Sequence, residues 1–285
     1  MPSTLDLRRR IRSVKNTQQI TRAMKMVAAA KLRRAQDRML AARPYAGALH
    51  QMLQSVASRV DAETHPLLQR REEKNVLLLV VTGDKGLAGA FNMNVIKAAQ
   101  SALAERPWEN VQLLPVGRKG NDFFRRRATA IRWQAINVFQ ALSLETAQEI
   151  AKIIIDDYAE AKIDAVYVVF NEFRSMISQR VEMHRLLPID LPPKREGAPE
   201  IDYLYEPEPE RILGILLPRY IEFQLYRVLL ESAAAEHAAR MTAMEAATKN
   251  ASDMIDRLTL TYNRIRQAAI TKEIIEIVSG AAALG

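Results

Sequence analysis

Between residues 3 and 43 the chain contains neither Gly nor Pro. Apolar residues recur there in steps of mostly three or four, at Leu7, Ile11, Val14, Ile20, Met24, Val27, Ala35, Met39 and Ala42, with a polar break over residues 16–19. That period predicts one long helix with a narrow, imperfect seam. Helical signals pass Pro44, where a kink is expected, and continue through Leu49, Leu53 and Val56 until DAETHP closes the segment. From residue 76 the period changes. VLLLVVTG, VQLLPVG and IDAVYVVF are continuous apolar runs of strand length, separated by helical stretches near 93–105 and 145–162. Alternating strands and helices imply a parallel sheet, with residues 181–189 as an added edge strand because no helix precedes them. LPPKREGAPE then reads as an exposed loop.

Residues 219–279 again lack Gly and Pro, which at about 1.5 Å per residue gives roughly 90 Å of helix. Met241, Met244, Thr248, Ala251, Ile255, Leu258, Tyr262, Ile265 and Ala269 alternate steps of three and four, four heptads of a coiled-coil seam. A kink or second start is expected at Pro218, inside a helical pattern that begins near Pro209. The expected fold is therefore α/β plus a long antiparallel coiled coil. Its N- and C-terminal helices form a stalk and its centre is a Rossmann-like α/β domain. The expected divisions are 1–60 for the first coiled-coil helix, 76–190 for the α/β domain, 191–208 for a loop and 209–285 for the last helix.

With about 55 residues in the first helix and about 75 in the last, the last should outreach the first by roughly 30 Å. Ala269, Ile270, Ile274, Ile275, Ile277, Val278, Ala281, Ala282 and Leu284 cover roughly 200° of that tip, about twice the arc an ordinary surface helix hides. Such a tip calls for a socket in a partner; the other reading packs it back on its own stalk.

Composition narrows the classes. The chain is 48% hydrophobic and 26% charged, within the globular range. Its longest strongly apolar run, residues 76–81, is far short of a membrane span, and LRRRIR near the start argues against an export signal. With no Cys, no disulfide or thiolate site is available. The net charge of +8 is concentrated, since residues 1–43 carry twelve Lys or Arg against Asp6 and Asp37, leaving −2 for the remainder. The first helix therefore suits an acidic surface, nucleic acid or phospholipid headgroups. Gly83, Gly86 and Gly89 follow a strand, yet their spacing matches neither dinucleotide nor P-loop patterns, so tight turns and close packing are expected. Asp84 and Lys85 read as a solvated turn rather than a catalytic pair. His50, His65, His184 and His237 lack ligand spacing. No catalytic, cofactor or metal site is expected. The rival classes are a nucleic-acid-binding coiled coil, which would bind with a steep salt dependence, and an α/β enzyme with a dimerising stalk, which would need polar groups clustered at its strand ends.

The final helix ends ITKEIIEIVSGAA, which resembles the C-terminal signature of F-type ATP synthase gamma subunits. RIRSVKNTQQITRAMKMVAAAKLRRAQ near the start and GDKGLAGAFN after the first strand are similar to the same family. The resemblance implies a non-catalytic rotor shaft, one copy per complex, turning inside three alpha and three beta subunits. Its α/β foot would sit on the membrane c ring with epsilon, at the cytoplasmic face of the cell membrane. It further implies that Met24 faces a beta-subunit lever, and that Arg266, Gln267, Thr271, Glu273 and Glu276 form the upper ring contacts. Arg8, Arg9, Arg10 and Arg12 would be a basic collar meeting acidic ring loops, and Tyr205 would lie where the foot meets epsilon and the membrane ring.

Overall fold

A computed structural model describes residues 3–57, 65–127, 129–190 and 208–284. Helix α1 spans Thr4–Ala57, and its first turn is closed reciprocally. Ser3 Oγ accepts from the Asp6 amide at 3.1 Å while donating to its carboxylate at 2.7 Å, which satisfies groups that a helix start leaves open. Strand β1 (Asn75–Val81), helix α2 (Phe91–Glu105), strand β2 (Asn110–Val116) and helix α3 (Arg118–Arg125) follow. Helix α4 (Leu144–Ala159), strands β3 (Ala165–Phe173) and β4 (Gln179–Leu187), and helix α5 (Pro209–Leu284) complete the order. Both terminal helices continue unbroken through the prolines at 44 and 218. The chain divides into a coiled-coil unit, Met1–Ala28 with Met241–Gly285, and a sheet unit, Ala29–Arg240.

In the sheet unit the strand order is β2-β1-β3-β4, with β1 parallel to both neighbours and β4 antiparallel to β3 at the edge. The expected added edge strand is thus the second arm of a hairpin. Every residue of β1 after Asn75 is buried, as a strand covered on both faces requires. Leu77, Leu79 and Val81 join α4, the lower part of α1 and the first half of α5 in one core; Val76, Leu78 and Val80 join α2 and Phe124 of α3 in another. Within α5, Leu217, Ile221, Leu225, Val228 and Leu229 are at most 1% exposed, each contributing about 1.5–3 kcal/mol of transfer free energy. The sequence pattern does not mark α3, because its hydrophobic contribution rests mainly on Phe124 amid charged neighbours.

In the coiled-coil unit, Arg8 bonds Tyr262, Thr21 bonds Thr248 and Lys25 pairs with Glu245. Advancing along one helix retreats along the other, so the pairing is antiparallel, and the expected fold class holds. Inward residues of α1 run Leu7, Ile11, Val14, Gln18, Thr21 and Ala28 in steps of three, four and seven. Ile20 and Val27, expected in the seam, stand 60% and 57% exposed instead. The frame is set one residue further on because two threonine hydroxyls satisfy each other across it. Thr21 and Thr248 lie 2.8 Å apart, and Thr248 also donates to the Met244 carbonyl at 2.7 Å. A polar layer so bonded costs little to bury.

Candidate functional site

In doubly wound sheets, ligands enter at the carboxyl ends of parallel strands. Here that end of β1 is filled by the chain itself. Asp84 is 7% exposed, and its carboxylate accepts from the amides of Arg118 at 3.0 Å, Asn137 at 2.7 Å and Phe139 at 3.2 Å. It therefore occupies the start of α3, where a phosphate could otherwise bind, and is not the solvated turn expected from sequence. The Thr82 hydroxyl accepts from Gly120 at 2.8 Å and donates to the Val116 carbonyl at 3.2 Å, tying β1 to the β2–α3 turn.

The same loop is keyed to α5. A Cβ at Gly83 would lie 2.8 Å from Glu236 Oε1, so any larger residue there would displace the buried Glu236 carboxylate. Gly89 adopts φ 56°, the left-handed conformation that favours glycine. Glu236 is 3% exposed and pairs with Arg240 at 2.5 Å, whose guanidinium also donates to the Gly86 carbonyl at 3.2 Å. Burial raises the Glu236 pKa, against the pull of Arg240. Burial, reinforced by Arg240 and Lys31, pushes His237 down to about 4. Ala88 from the loop and Phe91 at the start of α2 pack on Ala235, completing a joint between loop and helix.

The coiled-coil unit presents the residues singled out from sequence. Arg8, Arg9, Arg10 and Arg12 are all exposed; Arg8 donates to the Tyr262 hydroxyl at 2.7 Å. Arg266, one turn beyond, lies 5.9 Å from the same ring. Tyr262, half-buried in the seam, thus gathers cations from both helices. Met24 is half-buried at the flank of the seam, beside the Lys25–Glu245 pair at 2.7 Å. Gln267, Thr271, Glu273 and Glu276 are exposed, with Glu276 3.4 Å from Lys272. Seam burial fades toward the end. Met244 and Ala251 are buried, Ile255, Leu258, Tyr262 and Ile265 half-buried, and every described side chain over 266–279 is exposed. Ile270, Ile274, Ile275, Ile277 and Val278 are 48–71% exposed. Tyr205 lies outside the described residues.

Two features escaped the reading of the sequence. The buried Glu236–Arg240 pair carries no signal of its own in the sequence, because i,i+4 spacing is equally that of surface charge pairs, although close packing was expected at Gly83. The second is a basic stretch over residues 118–134, obscured because charge was summed over the whole remainder of the chain.

Long terminal helices paired antiparallel, with a small mixed-sheet domain between them in sequence, define a class of coiled-coil stalk subunit. The family model described as ATP synthase matches residues 3–284. Similar chains include the ATP synthase gamma chain of Solibacter usitatus, 56% identical with 99% of each chain covered. That of Pelotomaculum thermopropionicum is 52% identical over the full length of both. Among solved structures, the central stalk and c ring of Tetrahymena thermophila mitochondrial ATP synthase contains a chain 30% identical, with TM-score 0.62, covering 80% of this chain and 99% of that one. The chain belongs to the ATP synthase gamma chain family. Among the described residues no helix is long and apolar enough to cross a membrane.

Proposed function

We propose that this chain is the central rotor shaft of an F1Fo ATP synthase, present in one copy. It turns within three alpha and three beta subunits and couples proton flow to ATP synthesis or hydrolysis performed by them. Epsilon and the membrane c ring are its further rotor partners. It contributes no catalytic group or cofactor and works as a peripheral protein at the cytoplasmic face of the membrane. The observation that carries this reading is the end of α5, where Ile274, Ile275, Ile277 and Val278 stand 55–71% exposed with no companion helix among the described residues. Burying one such side chain is worth about 1.5–3 kcal/mol, so an enclosing partner gains strongly from this tip. In this reading Arg266, Gln267, Thr271, Glu273 and Glu276 meet the upper ring. The collar of Arg8, Arg9, Arg10 and Arg12 meets acidic loops, Met24 meets a beta-subunit lever, and Tyr205 contacts epsilon and the membrane ring. Co-purification with native partners tests it. One copy against three alpha and three beta chains is expected, whereas a homodimer free of other chains contradicts it.

A further inference from the structure

Strands β3 and β4 are joined by Arg174, Ser175, Met176, Ile177 and Ser178. Hairpin connections favour Gly, Asn or Asp, which tolerate the backbone that a turn needs, and none of these is present. The apex instead carries Met176, 53% exposed, and Ile177, at 88% the most exposed large hydrophobic side chain among the described residues. Nothing in the turn calls for an aliphatic side chain at that place. The turn is closed by its own polar groups. The Ser175 amide donates to the Ser178 carbonyl at 2.9 Å, and the Ser175 hydroxyl accepts from the amides of Ile177 at 3.3 Å and Ser178 at 3.0 Å. The Gln179 side-chain amide donates to the carbonyls of Ser175 and Met176, both at 3.2 Å. A backbone tied in this way holds Ile177 in place, so a partner meets it at little ordering cost.

The charges at the base of the turn are sorted by depth. The register sets Glu172 opposite Arg180 and Phe170 opposite Glu182, which puts Glu172, Arg180 and Glu182 on one face of the hairpin. Arg174 pairs with Glu172 at 2.8 Å and Arg180 with Glu182 at 2.9 Å. The two arginine side chains are 58% and 69% exposed, the two glutamates 23% and 22%. Equal in number, these charges turn their positive ends to solvent. Arginines around a methionine and an isoleucine, with no lysine from residue 165 to residue 187, match the composition of protein interfaces, where Arg and Met are enriched and Lys is depleted. A site for single-stranded nucleic acid would carry aromatic side chains for stacking, and residues 174–178 hold none.

We infer that the β3–β4 hairpin tip is a contact element for an acidic protein surface with an aliphatic recess, carried by a subunit of the alpha and beta ring. The choice of the ring rests on the proposed rotor function. Strand β3 ends at Phe173, which packs with the cluster of Ala234 and Ala238, in the last turns of α5 before it passes into the coiled-coil unit at Met241. The tip therefore stands at the end of the sheet unit from which α5 continues into the segment that the ring encloses. Its footprint points the same way. Two aliphatic side chains and two arginines bury far less than the roughly 1,200–2,000 Å² of a lasting interface. That suits a contact made and released as the shaft turns, and not the permanent attachment that epsilon and the c ring require.

The test uses the whole complex assembled from native partners, with Ile177 replaced by the photoreactive p-benzoylphenylalanine. Illumination is expected to join the chain to alpha or beta within a carboxylate-rich segment, and high salt should lower the yield severalfold. Replacing both Arg174 and Arg180 with Gln leaves the two glutamates uncompensated and should lower the yield on the order of tenfold. Products with epsilon, the c ring or lipid alone would overturn the inference. So would the lack of any product outside the chain, or a ring product indifferent to salt. Should the double variant fail to assemble, the salt series on the parent decides alone. The same probe at Ile277 separates this inference from the rotor function. If Ile277 joins the ring while Ile177 does not, the hairpin contact is refuted and the rotor function stands; if neither does, both fall.

Discussion

Arg240→Ala is expected to destabilise the sheet unit in a strongly pH-dependent way. Glu236 is 3% exposed and its short ion pair is with Arg240, so removing the guanidinium leaves a buried carboxylate that Asp84 repels and Lys31 attracts more weakly. Leaving one member of a buried pair charged costs about 3–5 kcal/mol. The carboxyl escapes by taking a proton, at about 1.4 kcal/mol for each pH unit above its ordinary value of 4.5. That route limits the electrostatic loss to about 3.5 kcal/mol at pH 7 and to under about 1 kcal/mol at pH 5. The lost bond to the Gly86 carbonyl adds about 1 kcal/mol at either pH. The sign follows from linkage. The variant raises the folded-state pKa of Glu236 further above its unfolded value, so stability is lost as pH rises from 4.5 and is retained below it. His237 reinforces the trend, because removing Arg240 relieves part of the downward push on its pKa. Urea unfolding followed by Trp108 and Trp133, both in the sheet unit, measures the effect at the two pH values. Adding Glu236→Gln to Arg240→Ala should recover most of the loss at pH 7. Equal destabilisation at pH 5 and pH 7, or no recovery in the double variant, would refute the reasoning.

Further expectations concern seam, titration and coupling. Val27→Ser, at 57% exposure, should change stability by less than about 0.5 kcal/mol, whereas Leu7→Ala, at 5%, should cost about 2–4 kcal/mol; chemical denaturation distinguishes them. His237, held down to about 4, is neutral in the folded state, so its contribution is present above pH 6.5 and lost as pH falls toward 4. Replacing it with Gln should flatten that part of the stability profile by up to about 3 kcal/mol, and an unchanged profile would contradict the assignment. Met24→Lys sets a new cation beside Lys25 and should lower coupling efficiency in reconstituted complex more than it lowers stability; unchanged coupling at unchanged activity would remove Met24 from the contact.

The lengths of α1 and α5 were legible because uninterrupted helix formers and a recurring apolar seam report a long paired helix directly. The buried strands were legible because β1 is covered on both faces and so reads as an unbroken apolar run. The frame of α1 was misread by one residue around Thr21. Counting apolar positions favours Ile20 and Val27, and nothing local to the sequence records that Thr21 meets Thr248 from a segment 227 positions away. Asp84 was misread for the same kind of reason. An aspartate in a glycine turn usually faces water, and only the tertiary arrangement brings three amides to its carboxylate. The α/β domain offered no sequence sign of the Glu236 joint beyond Gly83, since a buried ion pair and a surface one share the same spacing. For Thr21 and Asp84 the common element is a polar group satisfied over a long sequence distance.

The central claim is that the end of α5 is open in the isolated chain and enclosed in the complex. The chain has no native cysteine, so Ile277→Cys provides a unique thiol at a position 71% exposed. The rate of maleimide labelling should approach that of a free thiol in the isolated chain and fall at least tenfold on the order expected for burial once alpha and beta subunits have assembled around it. Strong protection already in the isolated chain, or undiminished labelling in the assembled complex, would contradict the account.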